Sequence, residues 1–151
     1  MQEAEQTRAP ALTVSELEAF LAREFPQVFN ADSGLSIAEL WHGGAIIRQA
    51  YKESFLRPGG TISGPTIMAV ADFAMYIAVL AAIGPVPLAV TTNLSINFLR
   101  KPAPADLLAE AKLMKLGKRL AVGEVGIRSD GGADLVAHVT STYSIPRPPH
   151  S

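Results

Sequence analysis

The chain has 151 residues, 48% of them apolar, and a formal net charge of −1. That length suffices for one domain with a real core, and near-neutrality leaves no electrostatic footprint for a nucleic-acid partner. The absence of cysteine excludes disulfides, thiolate catalysis and cysteine-based metal sites.

The opening Met1 to Arg8 is polar, partly acidic and leads into no apolar signal core, so a cytoplasmic location is expected. Thr13 to Phe25 predicts a short amphipathic helix. Thr13 and Glu16 form a capping box, Leu17, Phe20 and Leu21 share a face, and Pro26 ends it. Its expected role is an accessory cover. Leu35 to Phe55 reads as extended and counts as one strand region, and Arg57-Pro58-Gly59-Gly60 reads as a turn or loop. An apolar run, Thr66 to Ile83, opens at Ser63-Gly64-Pro65 and stops at Gly84-Pro85, predicting a long helix over about 65–83. The run approaches membrane-spanning length. Asp72 at its centre, its many alanines and the lack of basic flanks favour a helix buried within protein, with no membrane partner.

From Val90 the period becomes two, with Val90, Thr92, Leu94, Ile96 and Phe98 on the face expected to be buried. Three further strands are predicted over Leu107 to Lys115, Arg119 to Ser129 and Leu135 to Ile145, separated by Leu116-Gly117-Lys118 and Asp130-Gly131-Gly132 turns. The expected order is strand, long helix, four strands, in one domain spanning 1–151 with a loose tail over 146–151. Consecutive strands with tight turns argue for an α+β fold in which an antiparallel sheet wraps the long central helix.

Asp72 is the single charge between Arg57 and Arg100. A carboxylate in an apolar helix is costly unless it is paired, hydrogen-bonded or used. The Gly-Pro helix start offers free amides to a negative oxygen. A donor cluster and an isolated acid together suggest hydrolysis. Gly64 and Asp72 lie eight residues apart on one helix, about 12 Å along its axis, too far to serve one reacting centre from a single chain. If both act, one subunit supplies the amide and another the acid, which implies an obligate dimer.

Ser63-Gly64-Pro65, the apolar stretch with Asp72, and the strand from Val90 to Phe98 with Leu99 and Arg100 resemble the hotdog-fold thioesterases of the phenylacetate-pathway type. In that family a His-Gly-Gly triplet begins the central helix, an acid follows eight residues after the first glycine, and the next strand ends in an aromatic-Leu-Arg-like segment. The resemblance covers roughly residues 57–146. It implies a hotdog dimer or dimer of dimers that hydrolyses acyl-CoA thioesters carrying small to medium or aromatic acyl groups. No cofactor is implied beyond the coenzyme A of the substrate. By the same resemblance the Gly64 amide polarises the thioester carbonyl, Asp72 acts as general base or nucleophile, and Thr91 positions water or the acid. Arg57, Ser63, Pro65, Met68 and Tyr76 are the expected substrate contacts. Ser63 stands where the family has His, Pro65 replaces the second Gly, and Arg57 stands where some members hold water with an Asn.

Other readings of the same residues are structural. Asp72 could bind a neighbouring loop or pair with Arg57 across an interface. Met68, Phe73, Met75 and Tyr76 could be core rather than acyl pocket. Arg100 and Lys101, with Lys115, Lys118 and Arg119, could contact coenzyme A phosphates or be solvated turn cations. His42-Gly43-Gly44 matches the family triplet literally but precedes no apolar run, and is read as belonging to the first strand region. His138, on a strand face with Thr140 and Thr142, reads as structural, and His42 and His150 lack metal-site spacing, so no metal is expected. A non-catalytic acyl-CoA-binding or assembly protein is the alternative function. A hydratase reading is weaker, because no His is placed to partner Asp72.

Overall fold

The computed structural model describes residues 8–148. The expectation drawn from the polar opening, and the end of the loose tail at 149–151, fall outside them, apart from Arg8 itself. Helix α1 spans Val14–Glu24, and the expected capping box closes it: the Thr13 side chain accepts from the Glu16 amide, and the Glu16 carboxylate accepts from the Thr13 amide. Its buried face is Leu17, Phe20 and Leu21, as the periodicity predicts.

The stretch read as one extended region is a hairpin. β1 (Leu35–Trp41) and β2 (Gly44–Gln49) pair antiparallel around His42-Gly43, where Gly43 has φ +76°. A reversal there needs a residue that tolerates the left-handed region, and glycine does. Gly44 is required for another reason: a Cβ at this position would come within 2.1 Å of the Trp41 indole, which is 5% exposed. The His-Gly-Gly triplet is therefore a turn and a packing site for Trp41. A single helical turn at Glu53–Phe55 leads to two short strands, β3 (Leu56–Arg57) and β4 (Thr61–Ile62), joined through Gly59 and Gly60 at positive φ.

Helix α2 runs Gly64–Ile83, followed by β5 (Val90–Phe98), β6 (Leu107–Leu116), β7 (Leu120–Ser129) and β8 (Leu135–Ser144). The main sheet has the order β1-β2-β6-β7-β8-β5, antiparallel throughout, and α2 packs against all six strands. This is the expected α+β architecture. Small residues let helix and sheet approach: Ala71, Ala74, Ala78 and Ala81 are fully buried on α2, as are Ala109, Ala111, Ala121 and Ala137 on the strands. At the closest point Met75 presses on Gly123, where a Cβ would lie 2.8 Å from the Met75 sulfur. Although α2 has the length and apolarity of a membrane span, 67% of its most apolar 18-residue window is buried within the fold.

β5 departs from simple alternation. A bulge between Thr91 and Asn93 lets Thr91 face Tyr143 on β8, while Leu94 and Ile96 stay opposite Ser141 and Val139. Thr91 thus joins the inward row that period two assigns to Val90 and Thr92. The Ser141 hydroxyl donates to the Asn93 carbonyl at 3.0 Å and holds the irregular step. The expected fully buried face is also absent, since Leu94 and Ile96 are half-buried while Val90 and Phe98 are 50% and 51% exposed. β5 is a sheet edge, and among the described residues no strand lies beyond it.

Gly44→Ala is expected to cost about 1–3 kcal/mol by overpacking Trp41, measured by urea unfolding. His42→Ala, at a turn, is expected to stay within about 0.5 kcal/mol of the native chain. Equal stability losses for both would contradict the packing account of the triplet.

Candidate active site

Asp72 sits half-buried in the third turn of α2, and two hydroxyls converge on one of its oxygens. Thr91 Oγ1 donates to Asp72 Oδ1 at 2.6 Å, and Tyr143 Oη approaches the same oxygen at 2.8 Å and the Asp72 backbone carbonyl at 3.0 Å. No hydrogen bond from the described residues reaches Oδ2. Burial, followed by the adjacent Asp72 charge, pushes the Tyr143 phenol above its ordinary range, so it remains a protonated donor.

The cleft beside Asp72 has a volume of about 510 Å³ and is lined by Phe25, Val28, Phe73, Tyr76, Thr91 and Tyr143 among others. Its aromatic wall is built in layers. Tyr76 stacks on Tyr143 with centroids 6.2 Å apart, Phe25 meets Tyr76 edge-on at 5.9 Å, and Phe29 stacks on Phe73 at 6.1 Å. The Tyr76 hydroxyl donates to the Pro87 carbonyl, which burial makes necessary and which leaves the ring as an apolar surface. The segment after α1 supplies Phe25 and Val28. The accessory helix therefore leads into one wall of the site.

Gly64 lines a different cleft, of about 450 Å³, with Arg57, Thr61, Phe98, Arg100 and Lys101. Ser63 is the N-cap of α2 in extended conformation. Its hydroxyl lies 2.9 Å from Thr66 Oγ1 and caps no amide, and Pro65 occupies the first turn. The Gly64 amide has no acceptor among the described residues. The Phe98 ring lies over this glycine, 3.3 Å from where a Cβ would be. No carboxylate pairs with Arg57, Arg100 or Lys101 among the described residues. The Arg57 Nε donates instead to the Pro58 carbonyl at 3.4 Å.

The structure therefore brings together Asp72, Thr91 and Tyr76, and separately Gly64 and Arg57. Pro65 faces a third recess beside Val28 and Phe55. Met68 is 39% exposed and lines neither main cleft, and Met75 is fully buried against the sheet. Phe73 and Tyr76 alone, of the four apolar helix residues read as core or pocket, line the Asp72 cleft. Tyr143 was not legible as a site residue, although period two on β8 turns it inward with Val139 and Ser141. A buried tyrosine at the end of an inward row needs a hydroxyl partner. Among the described residues no three His, Asp or Glu gather at a point that could hold a metal ion.

The sequence profile of the Thioesterase superfamily matches residues 59–136. A candidate esterase of Saccharolobus solfataricus is 30% identical over 142 residues, covering 94% of this chain and 91% of that protein. Among solved structures, a candidate thioesterase of a Silicibacter species superposes with a TM-score of 0.82 and 45% identity, over 91% of this chain and 94% of that one. A variant of the phenylacetic acid degradation protein of Thermus thermophilus superposes with a TM-score of 0.67 and 30% identity, over 76% of this chain and 95% of its own.

The raised Tyr143 phenol gives an alkaline signature. The unfolded chain releases this proton above about pH 10 while the folded chain retains it, so the stabilisation is complete below that pH and declines above it, by up to about 1.4 kcal/mol per pH unit. Urea unfolding of native and Tyr143→Phe chains between pH 9 and 11 is expected to show the steeper loss in the native chain. Parallel curves would contradict it.

Proposed function

The chain belongs to the thioesterase superfamily and is a thioester hydrolase with a hotdog fold, and from that premise we propose that it hydrolyses acyl-CoA thioesters at sites shared between two subunits. The observation that carries this reading is the Asp72 carboxylate, one oxygen held by two hydroxyls and the other unclaimed, at the mouth of an aromatic-lined cleft. The thioester carbonyl oxygen accepts the Gly64 amide at the positive end of α2, a donor of a kind that contributes about 3 kcal/mol to such a transition state. Asp72 takes a proton from water as the water oxygen bonds to the carbonyl carbon. Alternatively it attacks that carbon itself, forming a mixed anhydride that water then opens. In both routes the carbon–sulfur bond breaks and the thiolate leaves without strong acid assistance, so the family's His is not required at Ser63.

Two features support a dimer. Gly64 and Asp72 line separate clefts of one chain, and β5 is a nine-residue edge with no charged side chain. An unguarded edge of this kind is a template for pairing. A two-fold axis near the middle of β5 runs the strands antiparallel and sets the Thr91 end of one beside the Phe98 end of the other. Thr91 marks the Asp72 cleft and Phe98 the Gly64 cleft, so one pairing assembles two complete sites. Dimers pairing into tetramers are compatible with this arrangement. The aromatic wall suits a small to medium or aromatic acyl group, with Tyr76 as a contact. Arg57, Arg100 and Lys101 around the Gly64 cleft suit the phosphates of coenzyme A. Ser63 and Pro65 shape the helix start. No cofactor enters the chemistry beyond the coenzyme A of the substrate, and the cytoplasm is the proposed compartment.

Release of free thiol from short, medium and aromatic acyl-CoA thioesters tests this. Asp72→Asn at matched folding and oligomeric state is expected to lower kcat by about a thousandfold. Unchanged turnover would move the site to another residue, and no turnover by the native chain on any acyl-CoA would refute the proposed substrate class.

A further inference from the structure

We propose that Tyr143 is a positioning residue for the hydrolysis, fixing the Asp72 carboxylate so that Oδ2 is the oxygen that meets water or the thioester. The inference rests on the reading of Asp72 as the reacting acid. A carboxylate on a helix turns about two side-chain bonds, and each turn exchanges which oxygen faces the cleft. Here Oδ1 is fixed from two independent elements: Thr91 on the bulge of β5, and Tyr143 on β8. Thr91 is exposed and at an edge, whereas Tyr143 is 3% exposed, stacked on Tyr76 and opposite Thr91 in the β5–β8 register. The buried partner is the rigid one. The same Tyr143 proton is shared with the Asp72 backbone carbonyl at 3.0 Å, so one phenol locates both the side chain and the helix that carries it.

Two consequences separate this role from simple packing. With Oδ1 saturated by donors, the unclaimed Oδ2 is the oxygen available as base or nucleophile. The hydroxyl, and not the ring, is the group that fixes the carboxylate. Burial and the Asp72 charge keep that phenol protonated throughout the working pH range. Removing the hydroxyl while keeping the ring should therefore lower the rate and leave substrate binding in place.

The experiment compares native, Asp72→Asn and Tyr143→Phe chains on one acyl-CoA ester, with melting temperature and oligomeric state recorded for each. Tyr143→Phe is expected to lower kcat about tenfold with little change in KM. A native kcat in Tyr143→Phe, alongside an inactive Asp72→Asn, would overturn the role of Tyr143 and leave Asp72 in place. A lowered kcat accompanied by a raised KM and a lowered melting temperature would reduce Tyr143 to packing. Full activity in Asp72→Asn would instead overturn the reading of the site, and the inference with it. Should Tyr143→Phe fold poorly, 3-fluorotyrosine installed at position 143 keeps the ring and strengthens the donor. The kcat is then expected to change with the strength of the donor, and a kcat equal to the native one would again overturn the proposal.

Discussion

A helix buried on nearly every side has few places to present polar chemistry, and α2 has two. Its first amide, at Gly64, is free because helix geometry leaves early N–H groups without partners and Ser63 does not cap them. Its carboxylate, at Asp72, is tolerated because two strands supply hydroxyls to it. The rest of the molecule follows from holding this helix. Alanines on both layers bring it close to the sheet, Gly123 admits Met75, and the segment after α1 closes the flank near Tyr76.

The bulge in β5 links fold and chemistry. Strict alternation would turn Thr91 away from the helix and leave Asp72 with one donor. The extra residue at the bulge rotates Thr91 inward without moving Leu94 and Ile96 out of the core side, and Ser141 secures the step. Bulges commonly re-aim a side chain at sheet edges and beside active sites. Here the same edge carries the proposed dimer contact. Strand pairing between copies and the placement of the acid are thus consequences of one strand, and the proposed second subunit completes both.

Much of this was legible in the amino-acid order. The lone charge in the apolar run singled out Asp72, the Gly-Pro start located the Gly64 amide, and period two gave β5 to β8 nearly to their observed ends. The failures have definite causes. The β1–β2 hairpin was hidden because the His42-Gly43-Gly44 triplet was read as lying within one strand region, whereas Gly43 at positive φ reverses the chain there. The face of β5 was misjudged because a bulge leaves no simple mark in the sequence and an edge strand buries little in one chain. Tyr143 escaped because its meaning depends on register, 71 residues from Asp72. Met68 was grouped with the pocket by helix membership, yet its position on the helix leaves it exposed.

The central claim is that the Gly64 amide and the Asp72 carboxylate act together only across subunits, and a mixed-subunit assay tests it most directly. Asp72→Asn and Gly64→Pro, which deletes the amide hydrogen at a helix start that tolerates proline, are each expected to be inactive as pure oligomers. Random mixing of equal amounts should restore about one quarter of native activity, because each hybrid dimer regains one site with both groups intact. Hybrid dimers confirmed by native mass spectrometry yet devoid of thioesterase activity would contradict the account.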